Sequence, residues 1–257
     1  MNKKTFGETL FEDYLNAQNI AFEHEPQLPF TSRLIDYVVD HPIHGRIFLE
    51  VKDIEKPNLP RQLAAFDPYD PVRRKIEEAK KKFSDLPDAL CALVLAARPG
   101  ICDLQTPHVM LGAMYGDMGF TVPVSREVGG LDPSRIEPRF SFGRGEMKTV
   151  HGLRNTRIAA IISLHEFDTF PREANLYAER DDGRTKAERW SDVWGNRAGL
   201  RTEPTPCVTV WENGAAKRKL PRDIFRGEMD AWWTFENGSQ QRSYIGQRRL
   251  ALGIDSR

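Results

Sequence analysis

Leu34-Ile35-Asp36-Tyr37-Val38-Val39-Asp40-His41-Pro42-Ile43-His44-Gly45-Arg46-Ile47-Phe48-Leu49-Glu50-Val51-Lys52 is the stretch that decides how this chain folds. Two runs rich in Ile, Val, Leu, Phe and Tyr flank a short segment that holds a proline and a glycine. β-Branched and aromatic side chains suit a pleated surface, and the breakers between them suit a reversal. A strand over 33–40 and a strand over 46–52 are therefore predicted to pair as a hairpin. Strand side chains alternate between faces. Ile47, Leu49 and Val51 then share one face, while Glu50 and Lys52 share the other. The hairpin brings Asp36 alongside. A charged group inside an apolar run is costly to bury alone, so three charges meeting in one part of a sheet call for a chemical reason.

Two neighbouring carboxylates hold a hard cation such as Mg²⁺ through oxygen ligands. Such an ion polarises a phosphoryl oxygen and lowers the pKa of a bound water. A nearby Lys orients that water or stabilises charge in the transition state. Asp36, Glu50 and Lys52 thus carry the parts needed to hydrolyse a phosphodiester. The competing reading is an ordinary ion pair on a solvated sheet face, which contributes little.

The flanking sequence supplies more elements. Phe6, Leu10, Phe11, Tyr14 and Leu15 recur at helical spacing over 5–18, and Thr5 with Glu8 matches a capping box. Residues 53–71 hold four prolines and are expected to form a loop with one short helical turn. Val72, Ile76, Ala79 and Phe83 give a second helix an apolar stripe. The run over 89–97 (ALCALVLAA) is apolar throughout, as expected of a strand buried on both faces in a parallel setting. Residues 157–165 and 207–211 suggest further strands. Residues 98–150 are rich in Gly and Pro and are expected to form an irregular insertion, with short strands near 109–114 and 120–124.

In this order the chain resembles the PD-(D/E)XK nuclease superfamily, which has the restriction-endonuclease-like fold. Asp36 followed by Glu50-Val51-Lys52 on the next strand matches its signature, with Ile35 where the signature nominally has proline. A helix with an acidic residue comes first, and Gly7-Glu8 ahead of Tyr14-Leu15 has the spacing seen in several members. The resemblance covers about residues 5–97. It implies an α/β fold with a central mixed β-sheet flanked by helices; since no linker separates two cores in the sequence, a single domain over 1–257 with an elaborated C-terminal half is expected. It also implies Mg²⁺ (or Mn²⁺) held by Asp36, Glu50 and Glu8, with Lys52 assisting the attacking water. Glu12 is the alternative helix acid. DNA is the expected substrate rather than RNA. A prokaryotic restriction or anti-phage defence nuclease is the expected setting, as a homodimer or with a partner protein of a defence system. A catalytically inactive nucleic-acid-binding or protein-interaction module on the same fold is the alternative.

Composition narrows the partners only slightly. Lys+Arg and Asp+Glu both number 37, so any attraction for nucleic acid must be local. The helix over 72–83 is one such place: six basic side chains against two acidic leave a local charge of +4. Arg73 and Lys80, seven residues apart, are expected phosphate contacts, with Arg61 and Gln62 in the preceding loop. The tail over 240–257 is also basic. Trp232 and Trp233 fit core packing better than base stacking. His41 and His44, in the hairpin turn, are expected at the surface. Three scattered cysteines argue against a disulfide framework and favour a reducing compartment. No window approaches the roughly 18 apolar residues of a membrane helix, and MNKKTFGETL is not followed by a signal-peptide apolar run. The expectation is a cytoplasmic protein.

Overall fold

A computed structural model describes residues 4–28, 34–55, 67–86, 88–98, 101–102, 104–121, 137–141, 144–149, 151–167, 183–185, 187–189, 191, 204–236 and 239–244. The capping box opens α1 (Phe6–Ala17). The Glu8 amide donates to Thr5 Oγ1 at 3.2 Å, and Glu8 Oε2 accepts from the Thr5 amide at 2.6 Å. Next come β1 (Phe22–His24), β2 (Tyr37–His41) and β3 (Gly45–Ile54). The first predicted strand starts four residues later than expected; the hairpin itself forms as anticipated, with Tyr37 opposite Leu49 and His41 opposite Gly45. Its turn is tied by His41, whose Nδ1 accepts the Ile43 and His44 amides at 3.2 Å. That role buries His41 to 7 % exposure, against the surface position expected for it.

After 56–66, which lie outside the described residues, α2 (Asp70–Phe83) begins with Pro71 in its first turn, where a missing N–H costs nothing. Its predicted stripe of Val72, Ile76, Ala79 and Phe83 is fully buried. β4 (Leu90–Ala97) follows and pairs in parallel with β3. The insertion departs from expectation at once. Residues 107–115, expected to include a strand, form α3 (Pro107–Tyr115), started by Thr106 and Pro107. Its last six residues are all buried, so no polar face marks a helical period in the sequence. The chain continues through β5 (Asp117–Thr121), β6 (Glu137–Ser141), β7 (Lys148–Thr149) and β8 (Gly152–Leu153). Then come β9 (Ile158–Phe167), β10 (Thr205–Glu212), β11 (Ala231–Glu236) and β12 (Ser239–Tyr244).

Eight strands make one mixed sheet in the order β1-β2-β3-β4-β9-β10-β11-β12, and β3, β4 and β9 are mutually parallel. Both faces are covered. On one face α1 packs against Ile47, Leu49, Val94, Ile162 and Val210. On the other, α2 and α3 cover Phe48, Leu93, Leu95 and Ile161. Trp232 is buried on the first face, as core packing requires. Trp211 is buried on the second, where its ring stacks on that of Trp233 at 5.3 Å. Gly7 lets α1 approach β3 and β4 closely: a Cβ there would lie 2.5 Å from Asp53 Oδ1 and 3.0 Å from Ala96 Cβ.

A second tie holds α1 to the C-terminal half. Tyr14 Oη donates to Asp230 Oδ2 at 2.6 Å, and Asp230 also accepts the amides of Val208 and Gly227 at 2.9 Å and 2.6 Å. Asp230 has no solvent exposure. Tyr14→Phe should therefore lower unfolding free energy by roughly 1–3 kcal/mol, because a buried carboxylate loses a donor that water does not replace. Urea denaturation of the two proteins measures this; equal midpoints would contradict it.

Candidate functional site

The hairpin register alone places Asp36 next to Glu50. Asp36 lies immediately before β2, one step beyond the Tyr37–Leu49 pair. Glu50 and Lys52 point from β3 toward the α2 face, since their neighbours of opposite parity, Leu49 and Val51, pack on the α1 face. This is the alternation read from the sequence. The three predicted residues converge, and the last turn of α2 adds a fourth, Lys82.

Their contacts are specific. Asp36 Oδ2 accepts the Val51 amide at 2.8 Å. Asp36 Oδ1 accepts from Lys82 Nζ at 3.2 Å. Lys82 Nζ also lies 2.6 Å from Glu50 Oε1, and Lys52 Nζ pairs with that same oxygen. Glu50 Oε2 is buried without a hydrogen-bond partner. The Glu50 side chain has no exposure, against 13 % for Asp36, 23 % for Lys52 and 29 % for Lys82. The four groups thus form a gradient from a sealed carboxylate to half-open ammonium groups.

Burial, reinforced by the charge on Asp36, pushes the Glu50 carboxyl up to about 7, while Lys52 and Lys82 limit the rise. Burial works against the charge on Lys82, but Glu50 and Asp36 outweigh it and hold its ammonium above the ordinary lysine range.

Other expected site residues are placed elsewhere. Glu8 spends its carboxylate on the capping box of α1, which packs on the sheet face opposite Glu50. Glu12 accepts from Tyr37 Oη at 2.9 Å and pairs with Lys4. Among the described residues no three His, Cys, Asp or Glu side chains stand together in position to hold a metal. A carboxylate pair is present, without the third acid. Arg73 is not an exposed phosphate contact. It is buried, pairs with Asp67 at 3.1 Å and donates to the Gly112 carbonyl at 3.1 Å, joining α2 to α3. The helical period had put it beside Lys80, but the apolar stripe of α2 is wide enough to take Arg73 inside. Lys80 remains partly exposed and pairs with Glu77 at 3.2 Å. Arg61 and Gln62 lie outside the described residues, as does the tail beyond 244.

In the sequence Lys82 stands out only as one more positive charge on α2. Its one signal was its place beside Phe83 at the end of the apolar stripe, which turns it toward the sheet.

Two concavities lie apart from this quartet. A groove of about 570 Å³ follows the outer side of α2, lined by Arg74, Lys81, Arg144, Glu146 and Arg154 among others. A cavity of about 460 Å³ sits at the carboxyl ends of β4 and β9, lined by Phe6, Arg98, Ile101 and His165 among others. Neither includes Asp36, Glu50, Lys52 or Lys82. No helix among the described residues is long and apolar enough to cross a membrane. No family model, curated protein or solved structure matches the chain.

The raised Glu50 carboxyl has a consequence for stability. Its ordinary value is 4.5 and its folded value about 7, so the fold holds this proton more tightly than the unfolded chain does. The associated stabilisation is full below pH 4.5 and is lost as pH rises through about 7. Glu50→Gln removes the titration. Between pH 5 and pH 8 the variant should gain roughly 2–3 kcal/mol on the wild type. Urea unfolding in EDTA at both pH values gives the comparison. A difference that does not change with pH would contradict the shift.

Proposed function

We propose that this protein is a metal-dependent nuclease of the restriction-endonuclease-like type, hydrolysing phosphodiester bonds in DNA. The observation that carries the reading is the meeting of Asp36, Glu50 and Lys52, with Glu50 sealed from solvent and one of its oxygens left without a partner. Burying a carboxylate this deeply is costly, and a sheet that needed only stability would be served as well by an apolar side chain. The element order around the site supports the reading. A helix opening with Gly7-Glu8, a strand after Asp36, a strand with Glu50-Val51-Lys52, a basic helix and a buried parallel strand follow one another as in the superfamily the sequence resembles.

The donor set fits a divalent ion in part. Asp36 and Glu50 already share one cation, the Lys82 ammonium, and Glu50 Oε2 has capacity to spare. Those two carboxylates would hold Mg²⁺ (or Mn²⁺), which when bound supplies a polarised phosphoryl oxygen and a water of lowered pKa. The chain's own residues do the rest. The Val51 amide fixes Asp36 through Oδ2 and leaves Oδ1 directed at the cation position. Lys52, anchored on Glu50 and partly exposed, presents a positive charge where negative charge develops on a phosphorane-like centre. The apolar walls of β3, β4 and α2 seal Glu50 and strengthen its interactions.

A second reading has a specific observation in its favour. Lys52 and Lys82 neutralise Asp36 and Glu50 within the protein, as they would in a catalytically inactive binding or interaction module. A role in prokaryotic restriction or anti-phage defence, and assembly as a homodimer or with a partner, rest on the resemblance alone.

Incubation with plasmid, single-stranded DNA and RNA in Mg²⁺ or Mn²⁺ separates the two readings. Lys52→Ala should reduce DNA cleavage by roughly two orders of magnitude or more while the fold is kept. Asp36→Asn should abolish cleavage along with any thermal stabilisation by Mn²⁺. Identical behaviour of wild type and Lys52→Ala on all three substrates rejects the enzyme.

A further inference from the structure

We infer that Lys82 is a built-in competitor for the cation at Asp36 and Glu50, so that metal loading requires this ammonium to leave the carboxylate pair. The inference rests on the metal-site reading above and adds a regulatory step to it.

The oxygen count leads there. Asp36 Oδ2 accepts the Val51 amide, and Lys82 Nζ holds the other oxygen, Oδ1, at 3.2 Å. The same nitrogen lies 2.6 Å from Glu50 Oε1. Any ion ligated by both Asp36 Oδ1 and Glu50 meets the ammonium head-on. Lys82 differs from Lys52 in bridging both carboxylates, so its ammonium occupies the place a shared ion would take, and like charges there repel.

The geometry also says which group yields. Glu50 has no exposure and sits mid-strand in β3, with no solvent to turn into. Lys52 holds Glu50 from the same strand and makes no contact with Asp36 Oδ1. Lys82 is 29 % exposed, reaches in from the last turn of α2 on a flexible stem, and has water to return to. Phe83, buried beside it, holds the helix in place when the side chain moves. In the metal-free protein Lys82 has a clear task. Without it, Asp36 and Glu50 would face one another with Lys52 as their only neighbouring cation among the contacts described.

Two measurements on the full chain test this. Calorimetric titration with Mn²⁺ compares wild type, Lys82→Met and, as an exposed neighbour, Lys81→Met. Lys82→Met should bind about tenfold tighter or more, since a competing charge is gone. Lys81→Met should match wild type, and Asp36→Asn should bind nothing. Amine-labelling mass spectrometry on the unaltered chain needs no variant to fold. Saturating Mg²⁺ should raise labelling of Lys82 several-fold and leave Lys52 unchanged. Binding that Asp36→Asn removes but Lys82→Met leaves equal or weaker, or Lys82 labelling indifferent to bound metal, overturns the competition and spares the metal site. Absence of Mn²⁺ binding in every form overturns both.

Discussion

Everything at the centre of this protein answers to one constraint: a carboxylate, Glu50, is held without solvent exposure in the middle of a sheet covered on both faces. An isolated charge there would cost several kcal/mol. It is met by Lys52 two residues along the same strand and by Lys82 from α2, and its proton is bound more firmly than usual. That arrangement couples the hairpin to the helix, since Asp36 on one side and Lys82 on the other close the same group of charges.

The rest of the fold keeps this centre dry and fixed. The β3 strand alternates faithfully, giving Ile47, Leu49 and Val51 to the α1 face and Phe48, Glu50 and Lys52 to the α2 face. α1 comes close enough to seal its side only because position 7 has no side chain. The Tyr14–Asp230 bond then ties α1 to β10 and to the turn before β11, so the far half of the sheet buttresses the near half. Asp230 and Glu50 make an instructive contrast. Both are fully buried carboxylates, but Asp230 accepts a hydroxyl and two amides, whereas Glu50 meets charges on one oxygen and nothing on the other. The first pattern is that of a structural joint. The second leaves unused ligand capacity at Glu50.

How far the sequence could be followed varied with the kind of signal. The hairpin, α2 and β4 were legible because each carries its own periodicity: alternation in β3, a four-three-four stripe in α2, an unbroken apolar run in β4. The helix α3 was not, since its last six residues are all buried and such a helix has no face to betray it. His41 and Arg73 misled for a related reason. Polar residues in a turn and on a basic helix are ordinarily solvated, yet here one ties the turn and the other joins α2 to α3 from inside. Only packing against distant segments could pull them in.

The sequence by itself determined that Asp36, Glu50 and Lys52 would meet. Strand alternation and hairpin pairing are local rules, and nineteen consecutive residues contain all they need. It likewise determined that Thr5 and Glu8 would cap α1. It did not reveal that the capping bond would occupy the very carboxylate expected at the site. Tertiary structure alone decided that α1 would lie on the far face of the sheet, and that Lys82 would complete the cluster. The physical reason is that the rotation and height of a helix on a sheet are fixed by the apolar contacts of its whole length. A charged side chain at its end goes where those contacts leave it.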